Sequence, residues 1–395
     1  MDLTLSPELT DFREEVRTWL AEHLVGEFAR HRGVGFSWDA EAWDLRVAWD
    51  RELAAGGWLC LGWPEEYGGR AATIDQQLVF QLEYALADPP YRATTQGQDL
   101  FGPTLLHFGT PEQKARFLPP IARVEEFWGQ GFSEPGAGSD LAGLRTRAWR
   151  DGDEWVIDGQ KVWTSHGGYA DWLYVLCRTD PDAPRHRGIS MLVVPTDQPG
   201  VDIRWIRNVL GGDDFCEVYF DGARTRADLV VGEVDAGWGV AMGALGTERG
   251  TTMLAENLRL QREVELITEA ARAGGREPTG ALRRDLARAW TDARIAEWNG
   301  LRLMTAIKTG RGVDPVVQSS VSKVFASRAH TRLGETAMRA RDAASELVGE
   351  DYALDRLQQV FLGTRAESVF GGTQQIQLNM LSERTLGLPR EPRRA

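Results

Sequence analysis

The apolar residues of this chain change period twice, and that change limits the folds open to it. From the N-terminus they recur at helical spacing. Ser6 is a candidate N-cap with Pro7 at the first helical position, and Leu9, Phe12, Val16 and Leu20 then fall on one face. The spacing predicts further helices over roughly 40–55 and 74–87, the latter stopping before Pro89-Pro90, and a fourth after Thr110-Pro111-Glu112. From about Phe127 the pattern turns to short alternating runs: Trp155 to Ile157, Trp172 to Leu176, Ile189 to Val194 and Glu217 to Phe220. Asp151-Gly152 and Asp158-Gly159 bracket the first of these runs, and such pairs favour hairpins. After Gly237 helical periodicity returns and lasts to about Gly387, with breaks near Gly274-Gly275, Gly310 to Asp314 and Gly349. Within it, Val317, Val321, Val324 and Phe325 suit the buried face of one long helix. The expected architecture is α+β and multidomain. It comprises an N-terminal α-helical domain (1–125), a middle antiparallel β-barrel-like domain (126–235) and a C-terminal helical bundle (236–395).

Composition closes off several functions. With 395 residues, 42% apolar, the chain can bury a sizeable core, and its 9% aromatic content argues against disorder. A net charge of −13 disfavours nucleic acid as partner while leaving room for one anionic cofactor in a local pocket. The three cysteines, Cys60, Cys177 and Cys216, fit neither a disulfide framework nor paired metal spacing. The start, Met-Asp-Leu-Thr-Leu-Ser-Pro, has no basic or apolar leader character, and no 18-residue apolar run follows. The expectation is a cytoplasmic protein without metal or membrane.

Three stretches stand out. Gly131-Phe-Ser-Glu-Pro-Gly-Ala-Gly-Ser-Asp140 sits where the chain enters the β region. A loop so rich in Gly and Ser presents backbone N–H groups at close range, suited to phosphate or a ring edge; the plain alternative is a surface loop. Lys161-Val-Trp-Thr-Ser165 closes a strand, and Trp163 there is either a core residue or the cover of a planar cofactor. Near the C-terminus, Ser368-Val-Phe-Gly-Gly-Thr-Gln-Gln-Ile-Gln377 resembles a ligand loop: Gly371 and Gly372 permit close approach and Thr373 caps the following helix. None of its side chains takes up a proton at neutral pH.

With these motifs in this order, the sequence resembles the acyl-CoA dehydrogenase family over essentially its whole length. Residues Gly131 to Gly143 match that family's signature, Lys161 to Ser165 match its Trp strand, and Phe370 to Gln377 match its Tyr-Glu-Gly-Thr segment. The resemblance implies FAD as cofactor, with Gln130, Phe132 and Ser133 along the flavin ring. Gly138 and Ser139 would touch flavin and the pantetheine-phosphate side of CoA. Trp163, Thr164 and Ser165 would pack on the other side of the ring, and Thr373 and Gln375 would contact the FAD. It also implies the reaction, in which a carboxylate takes the α-hydrogen of an acyl thioester as a proton while the β-hydrogen goes to the flavin.

The medium-chain branch of the family carries that carboxylate where this chain has Gly371. Glycine there leaves a backbone N–H for the thioester carbonyl and space for a branched, cyclic or steroid-like acyl group. The isovaleryl and long-chain branches place the base in a Glu-Arg pair on another helix, and this chain has Glu248-Arg249 at the matching place. Glu248 is the expected base and Arg249 faces CoA; read alone, both are surface charges. His166 reads as a strand-end residue.

Two family segments that reach the FAD of a neighbouring subunit, Arg-x-x-Phe-Gly and Gln-x-x-Gly-Gly-x-Gly, are not recognisable here. The corresponding regions begin at Arg272 and Ala344, with Arg276 or Arg283-Arg284 as stand-ins. The resemblance therefore points to acyl-CoA as substrate, electron-transferring flavoprotein as acceptor, and a homologous subunit completing an α2β2 assembly. A homo-oligomer with a rebuilt adenine site is the alternative. An acyl-CoA oxidase or flavin monooxygenase on the same fold, or a non-catalytic supporting subunit, are the rival functions.

Overall fold

The computed structural model describes residues 5–33, 40–247, 253–273, 277–312 and 314–390. Its contacts group the chain into two compact units. One consists of residues 38–72 and 91–248 and carries the sheet; the other consists of 1–37, 73–90 and 249–395 and is helical.

The first helix starts where the sequence places its cap. Helix α1 (Pro7–His23) has Ser6 accepting from Leu9 N–H and buries Phe12, Val16 and Leu20. A short α2 (Gly26–Arg30) and α3 (Ala40–Ala55) follow. Next comes α4 (Ile74–Ala87), opened by a reciprocal Thr73–Gln76 capping box. After a π-helical turn at Gln96–Phe101 come α5 (Gly102–Phe108) and α6 (Pro111–Ala122), the last capped by Thr110 and Gln113.

Eight strands form the sheet: β1 (Trp128–Gly131), β2 (Arg147–Asp151), β3 (Glu154–Ser165), β4 (Trp172–Arg178), β5 (Ile189–Pro195), β6 (Val201–Arg207), β7 (Asp213–Arg226) and β8 (Val230–Val231). Their order is β6-β7-β3-β2-β4-β5-β8, with β1 alongside β4. Pairing is antiparallel except β1 with β4 and the single β2–β4 pair Arg147–Arg178. Trp155, Ile157, Leu173, Val175, Leu192, Val194, Val218 and Phe220 form the core of this unit. Gln113 of α6 clips onto it, donating to the carbonyls of Asp228 and Val230 at 2.8 and 2.7 Å.

The two Asp-Gly pairs behave differently. Gly152 (φ +62°) turns the β2–β3 hairpin, as its sequence predicts. Asp158-Gly159 makes no turn, and β3 runs through it as one strand of 12 residues. The register of β3 against β7 shifts there instead, opposite Gly222, whose N–H bonds Asp158 Oδ1 at 2.8 Å. An Asp side chain that holds the backbone of the neighbouring strand has made a bulge rather than a turn.

The helical unit continues with α8 (Met253–Arg272), α9 (Gly280–Thr309), α10 (Pro315–Arg341), α11 (Arg356–Gly363) and α12 (Gln374–Met380), while α7 (Gly237–Thr247) belongs with the sheet. Helix α1 packs on α4, α4 on α8, and α8, α9 and α10 on one another. The apolar face expected on α10 is only partly present: Val324 is buried, but Val321 is exposed. Buried instead are Gln318, Ser319, Ser320, Ser322, Lys323 and Ser327. The hydroxyls of Ser319, Ser320 and Ser327 donate to carbonyls one turn back, so they cost little to bury. No described helix is long and apolar enough to cross a membrane.

Candidate active site

In the sheet unit the signature loop leaves β1 and is held by one buried ion pair. Lys161 of β3 is fully buried and donates to Glu134 Oε1 at 2.8 Å and to the Phe132 carbonyl at 3.1 Å. The Glu134 carboxylate also accepts from the N–H groups of Thr146 (2.8 Å) and Arg145 (2.7 Å). Burial alone would raise its pKa, but Lys161 and the Thr146 N–H outweigh that and hold it below the usual carboxylate range. A further bond, Val162 N–H to the Ser133 carbonyl at 2.9 Å, lays the loop against the Trp strand. Thus Gln130 lies at the end of β1, Phe132, Ser133, Gly138 and Ser139 on the loop that follows, and Trp163, Thr164 and Ser165 on β3 beside it.

Their exposures differ. Phe132 is buried, edge-on to Tyr174, whose hydroxyl donates to Gln96 Oε1 at 2.9 Å at the start of the π-helical turn. Gln130, Ser133 and Ser165 are half-buried; Gly138 and Ser139 are exposed. A Cβ placed on Gly136 or Gly138 would meet nothing within 4 Å, so the loop's backbone is open to approach.

Trp163 is 59% exposed, with a left-handed backbone (φ +63°). The cause lies in the ladder: between the Lys161–Val218 and Thr164–Cys216 pairs, β3 has two residues where β7 has one. A bulky residue in this region costs about 1–2 kcal/mol. The return is that Lys161, Val162 and Thr164 all point inward while the indole alone stands out, edge-on to Phe215. The Thr164 side chain packs against Gly129 and Gly167, and the residue is fully buried. His166 ends the strand with φ +53°; its ring lies against Trp43, and burial pulls its pKa down to about 3, so it is neutral.

In the helical unit Gly371 and Gly372 have φ +61° and +92°, conformations that favour glycine. Thr373 caps α12, accepting from Ile376 N–H at 3.2 Å, and Gln375 is exposed. Lys323 Nζ lies 4.5 Å from the centre of the Phe370 ring, and Gln374 Nε2 donates to Ser327 Oγ at 3.0 Å. The side-chain amide of Gln377 is buried without a hydrogen-bond partner among the described residues. Glu248, Arg249 and Arg276 lie outside the described residues. Arg283 and Arg284 are exposed on α9.

The sequence reading passed over Glu134 and Lys161, although both stand inside motifs it singled out. Their partnership spans 27 positions and emerges only when β1 and β3 are placed side by side.

An outward indole plane, bordered by half-buried amide and hydroxyl groups and an open glycine loop, matches a flat ring with an apolar face and a hydrogen-bonding edge. A chain with this site on this helix–sheet–helix order is an acyl-CoA dehydrogenase. The family's N-terminal domain matches residues 6–125, its middle domain 129–223 and its C-terminal domain 235–386, and the chain belongs to that family. It is therefore an oxidoreductase of a family that is generally FAD-dependent. It is 46% identical to the acyl-CoA dehydrogenase IpdE1 of Mycobacterium tuberculosis (strain ATCC 25618 / H37Rv), covering 97% of this chain and 99% of that protein. IpdE1 of Mycolicibacterium smegmatis is 44% identical over the same shares. Among solved structures, the Tcur3481-Tcur3483 steroid acyl-CoA dehydrogenase superposes with a TM-score of 0.87 at 32% identity, covering 99% of this chain and 100% of that one. The ChsE4-ChsE5 complex from Mycobacterium tuberculosis gives 0.83 at 31%, with the same coverage.

Proposed function

We propose that the enzyme binds FAD and dehydrogenates a bulky, cyclic acyl-CoA of the steroid-derived class, with Glu248 as the base. The observation that carries this reading is the pair of left-handed glycines at 371 and 372. Where a relative uses a side-chain carboxylate, this chain has no side chain at all. That leaves space for a wide acyl group and demands a proton acceptor elsewhere, which the Glu248-Arg249 pair supplies. Similarity to a structure named as a steroid acyl-CoA dehydrogenase supports the same class.

The residues divide the work. With FAD bound, Gln130, Phe132 and Ser133 would lie along the flavin ring, and Trp163, Thr164 and Ser165 would pack on its other side. Thr373 and Gln375 would contact the FAD. Ser139 and Arg249 bind the CoA moiety, and the Gly371 N–H meets the thioester carbonyl, where it stabilises the oxygen as negative charge develops. Glu248 removes the α-proton. FAD, when bound, accepts the two electrons that leave with the β-hydrogen and passes them to an electron-transferring flavoprotein.

A homologous second subunit completes the adenine and pyrophosphate contacts. Supporting this are the two unrecognisable segments after Arg272 and Ala344 and the exposed Trp290 and Trp298 on α9, at 58% and 53%. The test is to co-express the chain with its neighbouring dehydrogenase genes and screen acyl-CoA thioesters under anaerobic conditions. Flavin absorption should bleach with ring-bearing thioesters and respond weakly to straight chains. Equal bleaching by short straight-chain thioesters would overturn the substrate class.

A further inference from the structure

The segment that carries Gly371 is tied to the helical bundle by a charged bridge that the reaction itself does not use. His330 of α10 sits between two carboxylates. Its Nδ1 is 2.6 Å from Glu367 Oε1 and its Nε2 is 2.6 Å from Glu263 Oε2. Glu263 belongs to α8, and Glu367 stands in a short turn, Ala366–Ser368, four residues before Gly371. The three side chains are 13%, 8% and 19% exposed.

With both carboxylates ionised, hydrogen counting sets the state of the histidine. An ionised carboxylate only accepts, so two such contacts require hydrogen on both ring nitrogens, which makes His330 an imidazolium. Neutral histidine has one N–H and could serve one carboxylate only. The charges acting on His330 are these two carboxylates. Glu263 in turn feels Arg356 of α11 and Arg259 of its own helix, and Arg356 is itself held by Asp88 at 2.7 and 2.9 Å. From α9, Asp292 is engaged by Arg332 at 2.7 Å, and α12 carries no charged residue. The geometry and the charge balance agree, since the carboxylates keep the imidazole protonated well above its ordinary range despite burial.

From these contacts we infer that His330 is a positioning residue: its imidazolium bridge, together with the Lys323–Phe370 and Ser327–Gln374 contacts on the same helix, sets the backbone of residues 366–373. This rests on the reading of Gly371 and Thr373 as ligand contacts. All three tethers come from one helix, at positions 323, 327 and 330, and they grip the segment at 367, 370 and 374. Between and beside the grips lie Val369, 63% exposed, and the two left-handed glycines, which have no side chains with which to hold themselves. The loop's conformation is therefore imposed from α10, and the bridge to Glu367 is the grip that depends on a proton.

The experiment uses the assembled, flavin-loaded enzyme with Glu367→Gln, His330→Gln and Gly371→Ala. Two quantities are followed from pH 6 to 9: hydrogen exchange of the amides in 366–377, and kcat and KM for a good acyl-CoA. Glu367→Gln keeps the shape but removes one charge that favours the imidazolium. Its segment should lose protection at lower pH than in the wild type, with KM rising in step, kcat nearly unchanged, and α9 amides unaffected. His330→Gln should show both effects at every pH, with kcat/KM down roughly tenfold to a hundredfold, the scale of a misplaced binding group. A Glu367→Gln enzyme with the wild-type exchange and pH profile would overturn the inference, even if His330→Gln fails to fold. So would loss of protection in this segment with no change in kcat/KM. Gly371→Ala separates the two readings. If it leaves kcat/KM untouched, the segment is not a ligand wall; if it matters and the other two variants do not, only the role of His330 falls.

Discussion

Two histidines set opposite slopes on the stability of this enzyme. His166 is half-buried, and loss of solvent around its ring, with Arg46 nearby, draws its pKa down to about 3. Since an unfolded histidine protonates near about 6.5, the folded state loses ground progressively as pH falls below that value. His330 is raised by Glu263 and Glu367, so its contribution is complete below about 6.5 and is lost as pH climbs through its folded pKa. A plot of melting temperature against pH should therefore fall on both sides, with His166→Asn flattening the acid limb and His330→Gln the alkaline one. The Lys161–Glu134 pair is a different matter, because both of its groups are buried. Lys161→Met leaves a buried carboxylate unpaired and should cost about 3–5 kcal/mol in denaturant unfolding. It should also reduce flavin retention, because Glu134 holds the loop that carries Ser133 and Ser139. Glu248→Gln tests chemistry alone: turnover should drop by roughly a thousandfold, with flavin and ligand binding retained. Retention of activity within tenfold would move the base elsewhere.

At the scale of elements, the sheet unit depends on two irregularities in the pairing of β3 with β7. At the first, Gly159 has φ +149°, and a Cβ there would stand 2.6 Å from Thr146 Cα and Oγ1. Gly159→Ala should thus destabilise by about 1–3 kcal/mol through overpacking. Because Thr146 N–H also bonds Glu134, the strain should spread to the signature loop, visible as faster exchange of its amides. At the second, the bulge turns Trp163 outward. The cap of α1 could be read in the sequence because Ser6 acts on the residues next to it. The irregularities could not. An Asp-Gly pair has the same local preference in a hairpin as in a bulge, and only the length of the partner strand decides between them. Likewise α10 conceals its buried face, since serines that bond their own helix carry no apolar signal. Of the site, the loop and Trp163 were legible as a long motif. The Glu134–Lys161 and Glu263–His330–Glu367 clusters were not, because each joins residues far apart in the chain.

At the scale of the whole molecule, the first prediction concerns assembly. Purified alone, the chain should hold FAD weakly, whereas co-purification with a homologous subunit should yield a tightly flavinated, active complex. One tightly bound FAD per chain with full activity in the lone protein would rule that out. The division into two units has a separate consequence, for biosynthesis. The sheet unit is finished once residue 248 has emerged, but α1 and α4 belong to a unit whose other helices come last. Helix α1, which buries Phe12, Val16 and Leu20 and packs on α4, must then wait through most of translation for the later helices of its unit. The nascent chain thus carries a greasy, half-built module beside a completed one, which makes it a client for trigger-factor-like holding. A ribosome stalled near residue 250 should release a product whose sheet resists protease while α1 and α4 are cut away.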